Sequence, residues 1–287
     1  MSRRNRRGPP RRASSAEPLH HRGVAQLTLE TGLRRAVERE EFEVHYQPIV
    51  SALTGEVRGF EALVRWRHPE RGLVAPADFI PAAEETGLIN GIGRSVLRQA
   101  CGEAHRWHPA DPERPAPYVS VNLSAVQFLQ RDLLAQIDEV LANSRLAPGR
   151  LCLEITESML MEDPEAAART LTALRERGVR LYIDDFGTGY SSLNYLHSFP
   201  FDSLKIDRTF TAKLGDGEEH RGIVQAVVAI ARHLGMSVIA EGVENGEQLE
   251  LLRRLGCENV QGYFFSRPLP APEAERLVRR ASVNLAG

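Results

Sequence analysis

The chain has 287 residues, 42% of them hydrophobic and 26% charged, with a net charge of −2. That length supports one barrel-sized domain or two smaller ones, and no apolar run approaches the roughly 18 residues a membrane span needs. Charge is uneven: residues 1–22 hold seven arginines against Glu17 alone, leaving 29 basic against 37 acidic side chains, a balance opposite to that of most nucleic-acid-binding bodies.

Cys101, Cys152 and Cys257 are too few and too dispersed for a disulfide framework or a cysteine metal site, and a reducing cytoplasm is the simplest setting. Residues 1–23, rich in arginine with Pro9, Pro10, Ser14 and Ser15, read as a disordered tail. No apolar segment follows them, so they are not a secretory signal. Contact of the tail with nucleic acid or anionic lipid stays open beside the plainer reading of an inert extension. The remainder, 24–287, reads as one domain.

Val24 to Glu40 has the apolar spacing of an amphipathic lead-in helix. In EFEVHYQPIV, Phe42, Val44 and Tyr46 alternate with Glu43, His45 and Gln47, which predicts a strand. The connection SALTGE to the next strand, VRGFEALVRW, is too short for a crossover helix, so these two strands must be antiparallel. From there helices and strands alternate. Helical patterns cover 76–107, 126–143, 164–177, 192–197, 220–234, 247–255 and 272–281. The strands between them are YVSVNLS, LCLEITE, RLYIDD, SLKID, SVIAEGVE and NVQGYFF. About eight strands separated by helices predict an α/β fold, a (β/α)₈ TIM-like barrel with its first strand antiparallel.

In such a barrel the C-terminal strand ends share one mouth. Here they carry Glu61 and Arg65, Asn122, Glu154 and Glu157, Asp184 and Asp185, Lys205 and Asp207, Glu241 and Glu244, and Gln261. Adjacent carboxylates such as Asp184 and Asp185 repel unless a cation or proton lies between them. Carboxylates with an amide oxygen make a hard ligand set suited to Mg²⁺ or Mn²⁺. There are enough of them for two ions, a recurring arrangement for phosphoester hydrolysis. Taken singly, each has a plainer reading, such as a turn former for Asn122 or a helix cap for Glu244. Trp66 fits core packing and a ligand wall equally well, and His68, before Pro69, reads as structural. Asp185-Phe186-Gly187 matches a kinase metal motif, but no glycine-rich GxGxxG loop or HRD segment accompanies it.

Eight motifs in order, YQPIV (46–50), EALVRW (61–66), VNLSAVQF (121–128), LEITES (153–158), DDFGTGYSSL (184–193), LKID (204–207), AEGVE (240–244) and QGYFFSRPL (261–269), give the chain a resemblance to the EAL-domain cyclic di-GMP phosphodiesterases. The resemblance spans about 24–275. It implies a (β/α)₈-like barrel and metal-dependent hydrolysis of cyclic di-GMP to linear pGpG in bacterial signalling. It further implies that Glu61, Asn122, Glu154 and Asp184 hold one Mg²⁺ or Mn²⁺, and that Asp184 and Asp185 hold a second. Lys205 would contact the attacking water and Glu241 would be its general base. Gln47, Arg65, Asp207 and Gln261 would face the dinucleotide, Arg65 through phosphate. Glu157 would anchor the loop containing Phe186, Gly187, Thr188 and Gly189, which in this family connects the metal site to a homodimer interface. Some members bind the dinucleotide without cutting it, so a silent receptor is the alternative; no metal or base position is lost here. Phe264, where an aliphatic residue is expected, is a minor departure.

Overall fold

The computed structural model describes residues 17–161, 163–187, 197–280 and 283, with side chains from residue 28 onward. Its strands are β1 (Phe42–Ser51), β2 (Val57–His68), β3 (Gly72–Val74), β4 (Tyr118–Asn122), β5 (Leu151–Thr156), β6 (Arg180–Phe186), β7 (Ser203–Ile206), β8 (Ser237–Ala240), β9 (Asn259–Val260) and β10 (Leu269–Pro270). Eight of them close a barrel in the order β1-β2-β4-β5-β6-β7-β8-β9 and back to β1, while β3 and β10 extend from its edges. Every neighbouring pair from β2 round to β9 is parallel through β4–β8, whereas β1 is antiparallel to both β2 and β9. The short connection, residues 52–56, therefore sets the direction of the first strand, as the sequence predicts.

Side chains alternate across each strand. One set, including Phe60, Val119, Leu153, Ile183, Leu204 and Val238, is buried in the main core shared with the helices. The other set begins with Ile49, Tyr118, Cys152, Tyr182 and Ile239, a separate apolar plug. Two residues along each strand from the plug, at the same parity, stand Gln47, Ser120, Glu154, Asp184 and Glu241. The plug thus closes one end of the barrel and polar groups fill the other.

Several boundaries differ from the sequence expectation. The lead-in helix spans Glu17–Glu38 and so begins inside the predicted tail; Pro18 is compatible with a first helical turn, whose N–H groups lack intrahelical partners anyway. The 76–107 helix is three pieces, Pro76–Asp78, Ile80–Glu85 and Ile89–Arg106, interrupted at Gly87, which has φ +71°. The 126–143 helix is Ala125–Phe128 and Leu133–Ser144. The predicted seventh and eighth strands stop at Ala240 and Val260. Gly242 has φ +71°, outside the extended region, and ends the first of these. A short helix, Arg208–Ala212, was not anticipated; Asp207 caps it. The predicted helix at 192–197 lies outside the described residues apart from His197. Among the described residues no helix is long and apolar enough to cross a membrane.

Trp66 resolves to the core reading. It is 2% exposed, lies 6.0 Å from both Phe42 and Phe79, and donates from Nε1 to Glu41 at 3.0 Å. His68 is structural, its Nδ1 accepting from the backbone N–H groups of Glu70 and Arg71. Behind β2, Phe60 is fully buried with its ring 4.6 Å from Trp107, which in turn meets Tyr46 edge-on at 5.4 Å. This aromatic group backs the strand that carries Glu61. Replacing Phe60 with alanine vacates a fully buried site beside Trp107, and should cost about 3–5 kcal/mol. Urea denaturation of the full chain measures this as a lower midpoint with an unchanged slope.

Candidate active site

Lys205 is the central group. It lies on β7, is wholly buried, and its Nζ reaches carboxylates from four other elements. Glu154 Oε2 of β5 accepts at 2.7 Å, Glu241 Oε1 just past β8 lies at 2.5 Å, Asp184 Oδ1 of β6 at 3.4 Å and Glu61 Oε2 of β2 at 3.5 Å. Asn122, at the end of β4, donates from Nδ2 to Glu61 Oε1 at 2.7 Å. Gln261, just after β9, donates from Nε2 to Glu61 Oε2 at 2.6 Å and to Gln47 Oε1 at 3.0 Å. Gln47 of β1 passes its own Nε2 hydrogen to the Ser266 carbonyl at 3.3 Å. Groups from all eight barrel strands or their ends are thus joined in one polar cluster.

The register explains the convergence. Gln47 stands opposite Glu61 across the β1–β2 pair, and Asn122 beside Glu154 across β4–β5. Elsewhere the partners are staggered by two, Glu61 pairing with Ser120, Glu154 with Tyr182 and Lys205 with Ile239, and the tilt of strands in a closed barrel compensates for this stagger, so same-parity residues distant in sequence meet at one level. The connection after β9 is held against the one after β8. Val243 N–H donates to Gln261 O at 3.0 Å and Phe264 N–H to Val243 O at 3.0 Å. A Cβ on Gly262 would lie 2.0 Å from the Val243 carbonyl oxygen, so only glycine permits this approach.

One ammonium cannot neutralise this many carboxylates. Burial and the repulsion of Glu61 push the Glu154 carboxyl well above its usual range, despite its short contact with Lys205. Burial also raises Glu241, to about 8, against the pull of Lys205 and with the help of Asp184 and Glu61. For Glu61 burial acts upward as well, but Lys205, Gln261 and Asn122 together outweigh it and the net shift is downward. Lys205 itself is held well above the usual lysine range: desolvation acts downward, and Asp184, Glu154, Glu241 and Glu61 overcome it. The lysine therefore stays charged while the carboxylates compete for protons.

The other sequence-predicted residues take distinct places. Asp185 is exposed, has φ +54°, and its backbone N–H donates to Asp184 Oδ1 at 3.0 Å. Desolvation of part of its surface, with the negative charges of Asp184 and Asp207, raises its carboxyl. Arg65 is half-buried and donates to the Val64 carbonyl at 2.9 Å; burial lowers its pKa while Tyr263 and Glu61 oppose the shift. Asp207 accepts from Thr209 N–H at 2.9 Å as a helix cap. Glu157 is buried at the start of the helix Glu157–Met161, which packs against β6. Phe186 is buried and Gly187 has φ +92°; Thr188 and Gly189 lie outside the described residues. Sequence reasoning missed Tyr263, whose ring is 53% exposed and carries the Arg267 guanidinium 4.5 Å from its centre. The four-residue spacing of that pair within GYFFSR was its only signal. A cavity of about 420 Å³ adjoins Asn122, lined on one side by Leu63, Val64 and Ile80, with Glu84 at its wall.

Two oxygens in the cluster, Glu154 Oε1 and Gln261 Oε1, are buried with no hydrogen-bond partner among the described residues. Orphaned buried acceptors are costly and mark places where a cation or water belongs. The oxygen-only donors fit a hard divalent ion. Among the described residues, however, no three acidic, histidine or cysteine side chains already form a closed cage, because the carboxylates are drawn toward Lys205.

The sequence profile of the EAL domain matches residues 30–268. The chain belongs to the EAL domain family. Among curated relatives it is 44% identical over 258 residues to the cyclic di-GMP phosphodiesterase NbdA of Pseudomonas aeruginosa, covering 90% of this chain and 33% of that protein. It is 45% identical over 248 residues to the bifunctional diguanylate cyclase/cyclic di-GMP phosphodiesterase MucR of the same organism, covering 86% and 36%. The solved MucR phosphodiesterase in complex with c-di-GMP superposes with a TM-score of 0.82 at 44% identity, over 86% of this chain and 99% of that one. The EAL chain described here thus spans about a third of the length of these curated relatives.

The raised Glu241 carboxyl gives a pH signature. Its pKa moves from 4.5 unfolded to about 8 folded, so between these values the folded state holds a proton that the unfolded state has lost. Stability of the metal-free EAL domain should therefore fall as pH rises from about 4.5 to 8. In Glu241→Gln this contribution to the slope disappears, which denaturant titrations at pH 5, 6.5 and 8 would detect.

Proposed function

We propose that this EAL domain is a metal-dependent phosphodiesterase that hydrolyses cyclic di-GMP to linear pGpG in a bacterial cytoplasm. The observation that carries the reading is the cluster of Glu61, Glu154, Asp184 and Glu241 around the single buried ammonium of Lys205, with Asn122 and Asp185 at its margin. Its excess negative charge needs divalent cations, and its orphaned oxygen Glu154 Oε1 is a ready ligand atom. The family membership and the dinucleotide-bound MucR relative support the choice of substrate.

Glu61, Asn122, Glu154 and Asp184 would hold one Mg²⁺ or Mn²⁺, and Asp184 with Asp185 would hold a second. When bound, such ions supply Lewis-acid charge to the phosphate and ease deprotonation of water. The chain's own groups do the rest. Glu241 accepts the proton of the attacking water once bound cations offset the burial and repulsion that raise its carboxyl. Lys205 holds Glu241 in place and sets positive charge beside the phosphate oxygens. The Arg65 guanidinium orients the phosphate through its planar fork, while Gln47, Gln261 and Asp207 line the mouth. The cavity beside Asn122 has apolar walls for a purine, and Glu84 is an acceptor for guanine N–H donors. As water adds to phosphorus, the bond from phosphorus to a ribose 3′-oxygen breaks, that oxygen takes a proton from solvent water, and Glu241 returns its proton to solvent. Glu157 and the 186–189 segment would couple this site to a second subunit in a homodimer.

The test is incubation of the full chain with cyclic di-GMP and Mg²⁺ or Mn²⁺, with chromatographic detection of pGpG. Product is expected with wild type, and Glu61→Ala should reduce turnover by about 10²-fold or more while retaining the folded far-UV spectrum. Tight dinucleotide binding with no linear product under either metal would make the domain a receptor instead.

A further inference from the structure

The turn after β4 contains a device that the site as described does not use. Asn122 ends β4, and two residues later Ser124 opens the helix Ala125–Phe128. Ser124 Oγ accepts from the Gln127 backbone N–H at 3.2 Å, and the Gln127 side-chain Oε1 accepts from the Ser124 N–H at 3.3 Å. This reciprocal pair is a capping box. Such a box satisfies backbone donors at a helix start, but a helix of four residues has little stability of its own to protect.

Gln127 does more than cap. It is 7% exposed, and its amide fills the notch opposite Gly93, within the helix Ile89–Arg106. A Cβ at Gly93 would lie 1.8 Å from Gln127 Nε2. Glycine inside a helix is unfavourable relative to alanine, and here the room it leaves is occupied by this one side chain. At the other end of the turn, Leu123 N–H donates to the Glu154 carbonyl at 2.9 Å. The segment 122–124 is thus tied to β5 on one side and, through Gln127, to the long helix on the other. The cavity of about 420 Å³ is lined by Gly93, Asn122, Ser124 and Gln127 together. Shortening Gln127 would merge the vacated notch with that cavity and leave the turn unsupported.

We propose that Gln127 is a positioning residue that aims Asn122: by filling the Gly93 notch and closing the cap on Ser124, it holds the Asn122 amide in its 2.7 Å contact with Glu61. The consequence for metal rests on the reading of Asn122 and Glu61 as ligands; the positioning itself does not. Gln127 makes no contact with the reacting atoms and acts through Asn122.

The experiment compares wild type, Gln127→Ala, Gly93→Ala and Gln127→Glu as full chains by two readouts. The first is the side-chain amide NMR resonance of Asn122 in metal-free protein, assigned by its loss in Asn122→Asp. The second is Mn²⁺ binding followed by electron paramagnetic resonance. Gln127→Ala and Gly93→Ala should both displace the Asn122 resonance and weaken Mn²⁺ binding by about tenfold, within the range for groups that orient ligands. Gln127→Glu, which keeps the cap acceptor and the volume in the notch, should leave the Asn122 resonance in place and Mn²⁺ binding within about twofold of wild type, a pattern that general loss of stability does not produce. If Gln127→Ala does not fold, Ser124→Ala removes the other half of the cap and carries the same expectation. An unmoved Asn122 resonance in the variants overturns the proposal. Should wild type bind no Mn²⁺, the metal reading fails, and the resonance alone still decides whether Gln127 positions Asn122.

Discussion

The structure depends on a buried ammonium surrounded by carboxylates. Removing a lysine from water is expensive, and it is tolerated only because Glu154, Glu241, Asp184 and Glu61 all lie within 3.5 Å of Nζ or closer. The reverse is equally true, since four carboxylates could not share that interior without the charge. Yet the balance is incomplete, and burial with mutual repulsion drives Glu154 and Glu241 upward. A site left short of positive charge is built to receive more of it.

Such a cluster is affordable only on a stiff frame. The closed barrel gives each charged residue a place on a strand whose neighbours are fixed by ladder hydrogen bonds, and the apolar plug of Ile49, Tyr118, Cys152, Tyr182 and Ile239 closes the space behind it. The tilt of the parallel strands compensates for their stagger and brings their ends to one level. The antiparallel β1 contributes differently: running the other way, it presents Gln47 opposite Glu61, and Gln261 bridges the two. The one reversed strand thereby joins the same hydrogen-bonded ring as the parallel ones.

The EAL family membership and the geometry answer different questions. The comparisons identify a domain that recurs within longer proteins. The coordinates show which side chains touch and which do not, including features that motif matching passes over. Trp66, next to Arg65 in EALVRW, belongs to the core and not to the mouth. Asp207 also caps Arg208–Ala212. Gly262 and Gly93 matter for the space they leave to Val243 and Gln127.

How much was legible in the sequence follows from what local chemistry can fix. Alternation in EFEVHYQPIV and the six residues of SALTGE determined the first hairpin, because side-chain period and chain reach are local properties. The succession of helices and strands determined the barrel class, and the polar strand ends marked its mouth. Boundaries at Ala240 and Val260 were not legible, since those strands end where connections pack against each other and not where a propensity changes. That Lys205 lies at the centre of the carboxylates, and that Gln127 fills a notch in a helix more than thirty positions earlier, only the tertiary structure decided. Distances between strands depend on barrel closure and register, which arise from the whole chain at once.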